Sequence, residues 1–173
     1  AKIDDKTAAA MMLKGMTAQY LLRRCYKVKK GDTILVQAAA GGVGLLLCQW
    51  GKYLGATVIG TVGSKEKAAL ARKNGAHHTI LYNDEDWVKR VSEITKGKKC
   101  DVVYDGVGKT TFMGSLDCLR PLGLMVSYGN ASGAVDPINL GILTQKGSLF
   151  VTRPTLNTYT ASAKDLQATA KDL

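Results

Sequence analysis

Ala38-Ala39-Ala40-Gly41-Gly42-Val43-Gly44 is the stretch on which the fold turns. A β-branched run, Thr33-Ile34-Leu35-Val36-Gln37, leads into it. After it, apolar residues recur at Val43, Leu46, Leu47, Trp50 and Leu54, the spacing of a buried helix face. A small-residue turn between strand and helix lets backbone N–H groups approach a diphosphate, and the helix N-terminus adds partial positive charge toward the same anion. Set against the G-x-G-x-x-G fingerprint, Ala39 stands in the first glycine position, while Gly41 and Gly44 fill the other two. A turn that serves only close helix–sheet packing is the plainer alternative, and the flanking residues make it the poorer one.

On either side of this unit the pattern repeats. Strand-like runs begin near Thr33, Thr57, Thr79, Asp101, Leu124 and Ser148, about one βα unit apart. Helical stretches lie between them at 42–54, 65–74, 84–96 and 110–119, with turn signals at Gly55, Asn74-Gly75, Gly97 and Pro121-Leu122-Gly123. Upstream, Asp4 and Asp5 are predicted helix caps, Gly15 is expected to interrupt the helix, and Thr17 to cap a second one running from Ala18 to Tyr26. Residues 130–146 read as loop with one short helix, and Leu166, Ala170 and Leu173 as the apolar face of a last helix. Strands alternating with helices predict a Rossmann-type, doubly wound α/β fold: a parallel sheet of six strands with helices on both faces. One domain is expected over 1–173, with 1–30 as a helical lead-in.

A hydrophobic content of 46% and 19 glycines suit a globular chain with many turns. No apolar run is long enough to span a bilayer as a helix, and no leader pattern opens the chain. Cys25, Cys48, Cys100 and Cys118 form no C-x-x-C pair and read as reduced thiols of a cytoplasmic protein. Twenty-four Lys and Arg against fourteen Asp and Glu leave a net charge of +10. A phosphate-bearing ligand, affinity for nucleic acid, or an acidic counterpart elsewhere in a longer protein would each account for it.

The end of the second strand bears on which dinucleotide is bound. A carboxylate about 20 residues after the glycine turn would accept from a ribose 2′-hydroxyl. Here the chain reads Gly60-Thr61-Val62-Gly63-Ser64-Lys65-Glu66-Lys67, with no carboxylate at the strand end. Ser64 and Lys67 offer a hydroxyl and an ammonium, the groups a 2′-phosphate requires. Ser64 is equally a helix N-cap and Lys67 a first-turn lysine, and these roles are compatible with phosphate binding. Tyr82, at the end of the third strand, is placed to cover an adenine, to reach the phosphate, or simply to pack.

Several motifs recur together: Lys14-Gly15-Met16-Thr17-Ala18-Gln19-Tyr20, the 38–44 turn, Gly63-Ser64-x-x-Lys67, Tyr104-Asp105-Gly106-Val107-Gly108, Tyr128-Gly129-Asn130-Ala131-Ser132-Gly133 and Thr152-Arg153-Pro154. In this order they resemble the cofactor domain of the NADPH:quinone oxidoreductases, the zeta-crystallin-like branch of the medium-chain dehydrogenase/reductase superfamily, over essentially the whole chain. The resemblance implies NADPH or NADP as cofactor. It implies that Ala40, Gly41, Gly42, Val43 and Gly44 cradle the diphosphate and that Gly63, Ser64, Lys67 and Tyr82 surround the 2′-phosphate and adenosine. Val107, Gly108, Tyr128, Gly129, Asn130, Thr152, Arg153 and Pro154 then belong to the nicotinamide-ribose side, and Thr17 is also counted among the cofactor-binding residues. Relatives often carry Phe in place of Tyr128.

By the same resemblance, an N-terminal GroES-like barrel and a C-terminal return are expected beyond these residues, and the domain alone is expected to bind cofactor while reducing quinone slowly or not at all. Zinc-dependent relatives place a metal ligand shortly before Thr17. Leu13 and Lys14 stand there, and neither suits zinc. His77 and His78 are adjacent and would point apart on a strand, so no metal is expected. The implied chemistry is hydride transfer from NADPH to a quinone, and no residue here is assigned as a general acid. Reduction of a 2-alkenal or enoyl C=C bond is the alternative within enzymes. A crystallin-like or RNA-binding module without turnover is the alternative outside them, and no aromatic-flanked basic motif supports RNA. A homodimer is expected through the edge strand at 147–152.

Overall fold

The computed structural model describes residues 3–173, so Ala1 and Lys2 of the expected lead-in lie outside the described residues. Six parallel strands are joined by helices: α1 (Asp5–Tyr20), β1 (Thr33–Val36), α2 (Gly42–Tyr53), β2 (Thr57–Val62), α3 (Lys65–Lys73), β3 (His78–Leu81), α4 (Trp87–Ile94), β4 (Cys100–Asp105), α5 (Phe112–Asp117), β5 (Leu119–Ser127), α6 (Gly141–Gln145), β6 (Phe150–Thr152), α7 (Leu156–Tyr159) and α8 (Ala163–Lys171). The strand order is β3-β2-β1-β4-β5-β6, and every pairing is parallel. From β1 the chain winds outward through β2 to β3, then returns to β4 on the other side of β1. The switch point therefore falls between β1 and β4, where strand ends open a crevice.

Period-two alternation along the strands builds two apolar layers. Ile34, Val36, Val58, Val102, Tyr104 and Val126 face the layer that includes Ala18, Leu21 and Leu47. Leu35, Ile59, Ile80, Val103 and Met125 face the one containing Val91, Phe112 and Leu116. A parallel sheet covered on both faces needs strands that are apolar on both sides, and these are. Tyr104 is fully buried, and its hydroxyl donates to the carbonyl of Leu21 (3.2 Å), which fixes β4 to the turn that closes α1. That contact makes it a packing residue.

Three local expectations are corrected. The N-terminal helix does not break at Gly15 and restart at Thr17: α1 runs unbroken to Tyr20 and widens into a π-helical turn at Leu21–Cys25. Gly15 is there for space, since a Cβ would come within 2.8 Å of the Leu173 side chain. Thr17 caps nothing, because its hydroxyl donates back to the Leu13 carbonyl (2.7 Å) inside the helix. Pro121-Leu122-Gly123 does not precede the fifth strand but lies within it. Leu122 adopts φ +61°, and the β4–β5 register shifts between Cys100 and Val102, which marks a bulge. Finally, of the expected last apolar face Leu166 is exposed, while Ala170 and Leu173 are half-buried and α8 also buries Thr169.

Candidate functional site

The 38–44 turn lies at the C-terminal end of β1 and is held by its own backbone. Ala38 sits in the left-handed region (φ +53°), and its carbonyl accepts the Gly41 N–H (2.9 Å). A non-glycine residue in that region is uncommon and clusters at functional turns. Gly44 explains itself by distance: a Cβ there would stand 2.4 Å from the Ala38 oxygen. Ala39, in place of the fingerprint's first glycine, is accommodated by a glycine elsewhere. Gly60 on neighbouring β2 lies under its methyl, and a Cβ at Gly60 would approach it to 2.5 Å.

The N-termini of α1, α3, α4 and α8 are closed by the side chains of Asp4, Ser64, Asp86 and Ser162. The cap of α2 is Gly41, which makes no side-chain bond. Among the described residues, the N–H groups of Gly42 and Val43, with that of Gly44 behind them, meet no acceptor. Three amide donors and the helix dipole thus converge on one open point.

Beside the turn, a cleft of about 160 Å³ is lined by Ala38, Ala40, Gly41, Val62, Gly63, Lys67 and Tyr82. The structure therefore brings the glycine turn together with Gly63, Lys67 and Tyr82, residues up to about forty positions apart. Ser64 is the N-cap of α3, its Oγ accepting from the Lys67 N–H at 3.3 Å. That bond uses an oxygen lone pair, while the hydroxyl proton faces the Glu66 carboxylate in the first turn of α3, which helps to hold that carboxyl below its ordinary range. The Lys67 side chain enters none of the ion pairs found among the described residues.

The nicotinamide-side residues of the sequence reading also meet. The loop after β4 zips onto the loop after β5: Ser132 N–H donates to the Val107 carbonyl (2.8 Å), Ala131 N–H to that of Gly106 (3.2 Å), and Lys109 N–H to that of Gly133 (3.1 Å). The approach is close enough that a Cβ at Gly129 would lie 2.5 Å from the Gly106 oxygen. Gly108 has φ +91° and a Cβ there would meet the Gly133 carbonyl at 2.7 Å, so both backbone and space demand glycine. Tyr128 lies over Gly106, and burial pushes its phenol well above the ordinary tyrosine range. Arg153 donates to the Ser127 carbonyl (2.6 Å), tying the end of β6 to that of β5 next to Thr152 and the buried Pro154. Asn130 is exposed at the loop's tip.

A second cleft of about 460 Å³, lined by Gln37, Thr61, Tyr82, Trp87, Val107 and Thr111 among others, connects the two halves, sharing Ala38 and Tyr82 with the first.

Two features escaped the sequence reading. Lys14 lays its side chain across Gly42, where a Cβ would meet Cδ and Cε at 2.7 Å and Nζ at 3.0 Å. Its ammonium thus stands beside the uncapped end of α2, and nothing local in the sequence signals this because the contact joins α1 to α2. The other is Tyr20, stacked on Tyr159 with centroids 4.6 Å apart. Burial first, then the neighbouring Cys25 and Tyr159, push its phenol up to about 12.

No group of three or more His, Cys, Asp or Glu converges among the described residues. The thiols of Cys48 and Cys118 are pushed by burial up to about 12, and those of Cys25 and Cys100 are raised as well, all four being unpaired thiols. A thiol must ionise to ligate a metal, so burial disfavours that use. His77 Nδ1 accepts the Val58 N–H (3.0 Å), and burial, with Lys52 and His78 nearby, holds its pKa below the ordinary value.

A doubly wound parallel sheet with an uncapped glycine turn at its switch edge, a lysine and a serine at the end of the next strand, and paired glycine loops beyond defines a dinucleotide-binding domain of the dehydrogenase type. The chain belongs to the zinc-binding dehydrogenase family, whose model, described as "Zinc-binding dehydrogenase", matches residues 42–169. It is 61% identical over 171 residues to a quinone oxidoreductase of Pseudomonas aeruginosa, covering 99% of this chain and 53% of that protein. It is 53% identical over 175 residues to a 2-haloacrylate reductase of a Burkholderia species, covering 99% of this chain and 52% of that one. Among solved structures, Escherichia coli quinone oxidoreductase complexed with NADPH superposes with a TM-score of 0.96 at 55% identity, over 98% of this chain and 52% of that one. The chain spans about half the length of the curated relatives it matches.

Proposed function

We propose that residues 1–173 form the NADPH-binding half of a quinone oxidoreductase of the zeta-crystallin-like branch. The observation that carries this reading is the cleft in which Lys67 and Gly63 face Gly41 and Ala40, with no carboxylate at the end of β2 to hold a ribose 2′-hydroxyl. NADPH, when bound, supplies the hydride for reduction of the quinone. The residues of this chain bind and orient. The amides of Gly42, Val43 and Gly44 take the diphosphate. The Lys67 ammonium and the Ser64 hydroxyl take the 2′-phosphate, and Tyr82 flanks the adenosine. Val107, Gly108, Tyr128, Gly129, Asn130, Thr152, Arg153 and Pro154 line the nicotinamide-ribose side, and Thr17 on α1 belongs to the same cofactor-binding set. These residues do not suit zinc: the neighbourhood of a zinc ligand before Thr17 holds Leu13 and Lys14, and Cys48, Cys100 and Cys118 are buried thiols.

A second reading, reduction of an activated C=C bond, is favoured by the similarity to the 2-haloacrylate reductase. Whole-protein assays with a quinone and a 2-haloacrylate distinguish the two. Among the described residues no helix is long and apolar enough to cross a membrane, and four free thiols fit a reducing, cytoplasmic setting. A homodimer through β6 fits its place at the sheet edge, where Phe150 and Val151 are exposed. RNA is not favoured as a partner.

The deciding experiment titrates NADPH and NADH against the chain and its Lys67→Ala variant. A charge-assisted hydrogen bond is worth roughly 1.5–3 kcal/mol, so the substitution is expected to weaken NADPH about ten- to a hundred-fold and NADH little. Equal affinity of the unaltered chain for both cofactors overturns the assignment.

A further inference from the structure

We propose that Asp105 is a positioning residue that locks the Val107–Gly108 loop to the phosphate turn, so that the two halves of a bound dinucleotide are held to one geometry; this rests on the cofactor reading above. Asp105 ends β4 at the switch point and is completely buried. It belongs to none of the ion pairs among the described residues. Four donors meet it instead. Oδ1 accepts the N–H groups of Val107 (2.8 Å) and Gly108 (3.0 Å), and Oδ2 accepts the hydroxyls of Thr111 (2.7 Å) and Ser115 (2.9 Å).

The network continues across the sheet. Ser115 Oγ accepts from Gln37 Nε2 (3.1 Å), and Gln37 Oε1 accepts from the Thr61 hydroxyl. Gln37 leads directly into the 38–44 turn, and Thr61 stands two residues before Gly63. One chain of buried polar groups therefore joins the ends of β2, β1 and β4, from which three of the cofactor loops issue. Every donor in it is directed toward Asp105. Gln37, Thr61 and Thr111 also line the connecting cleft.

Burying a carboxylate without a cation is costly, and an apolar side chain would fill the last position of β4 without that cost. What the carboxylate adds is direction. Its two oxygens lie in one plane, so the loop amides bound to one and the α5 hydroxyls bound to the other hold fixed relative positions. Val107 passes the constraint on, because its carbonyl accepts from the N–H and the hydroxyl of Ser132 (2.8 and 2.9 Å).

The test compares NADPH with adenosine 2′,5′-bisphosphate, which carries the phosphorylated adenosine half and lacks the nicotinamide half. Asp105→Asn keeps the shape and can still accept from the loop amides through its oxygen, but it presents N–H groups to Thr111 and Ser115. Ser115 Oγ can accept from Gln37 through one lone pair and from the new amide through the other, but its own buried proton then loses its acceptor, so the link to the turn is weakened. NADPH affinity is expected to fall about ten-fold while the bisphosphate stays within about two-fold. Ser115→Ala, which removes the link while leaving Asp105 three donors, is expected to move the ratio the same way by about three-fold, and it decides the matter if Asp105→Asn does not fold. A parallel loss of both ligands, or a lower melting temperature with the ratio unchanged, means a role confined to fold stability and overturns the proposal. Failure of the unaltered chain to bind either ligand overturns the cofactor reading, and this inference with it.

Discussion

Replacing Gly44 by alanine is expected to damage the protein even though alanine is the better helix former. Gly44 lies in the first turn of α2, where exchanging glycine for alanine gains up to about 1 kcal/mol of propensity. Against this stands distance. The new methyl would begin 2.4 Å from the Ala38 oxygen and 2.9 Å from the Ala39 carbonyl carbon and Cα. Ordinary carbon–oxygen contact is well beyond that, so turn and helix must separate by several tenths of an ångström. The atoms in the way are backbone, and Ala38 is already held at φ +53°. Overpacking of this kind costs typically 1–3 kcal/mol, occasionally more, so a net loss of about 1–2 kcal/mol is expected. At about 2–4 °C per kcal/mol for a domain of this size, the melting temperature falls by roughly 2–8 °C. The same separation moves the amides of Gly42 to Gly44, so NADPH and NADH weaken together, unlike the selective loss in Lys67→Ala. Gly42→Ala is the control. A Cβ there meets only the end of the Lys14 side chain, which can swing aside, and the stability change is expected within about 0.5 kcal/mol. Thermal unfolding of both variants is the assay. An unchanged or raised melting temperature for Gly44→Ala refutes the steric reasoning.

If β6 is the dimer edge, a charge on each of its faces should prevent strand addition. Phe150→Lys combined with Val151→Lys is expected to convert a dimer to a monomer in sedimentation, and a monomeric unaltered chain at high concentration counts against the interface. His77 is expected to titrate below the ordinary histidine value of 6.5, because burial and Lys52 disfavour its charged form and its Nδ1 must stay unprotonated to accept from Val58. Since the unfolded chain takes up this proton at higher pH than the folded one, the contribution to stability is present above about pH 6.5 and declines as the pH falls through that value. Histidine NMR shifts and unfolding curves at pH 7.5 and 5.5 check the sign, and a His77 midpoint above 6.5 contradicts it.

Much of the architecture was legible in the chain because it rests on local periodicity. The βα repeat of 22–24 residues, the two-sided apolar strands and the cap at Ser64 are written in neighbouring residues, and six strands in doubly wound order follow from them. The tight turn at 38–44 was legible for the same reason, since its requirement for small residues acts over seven positions. What local reading missed depends on contacts between distant elements. Gly15 looked like a helix break and is in fact a site of close packing against Leu173. The alanine in place of the first fingerprint glycine is tolerated because Gly60, on the next strand, leaves room for its methyl. Only the folded sheet puts Lys14 beside the uncapped end of α2, and only there do Thr61, Gln37, Ser115 and Asp105 form one chain of hydrogen bonds. The physical reason is range: propensity and capping act within one or two turns of chain, whereas steric room and buried polar satisfaction are set by whichever residues the topology brings within 3 Å.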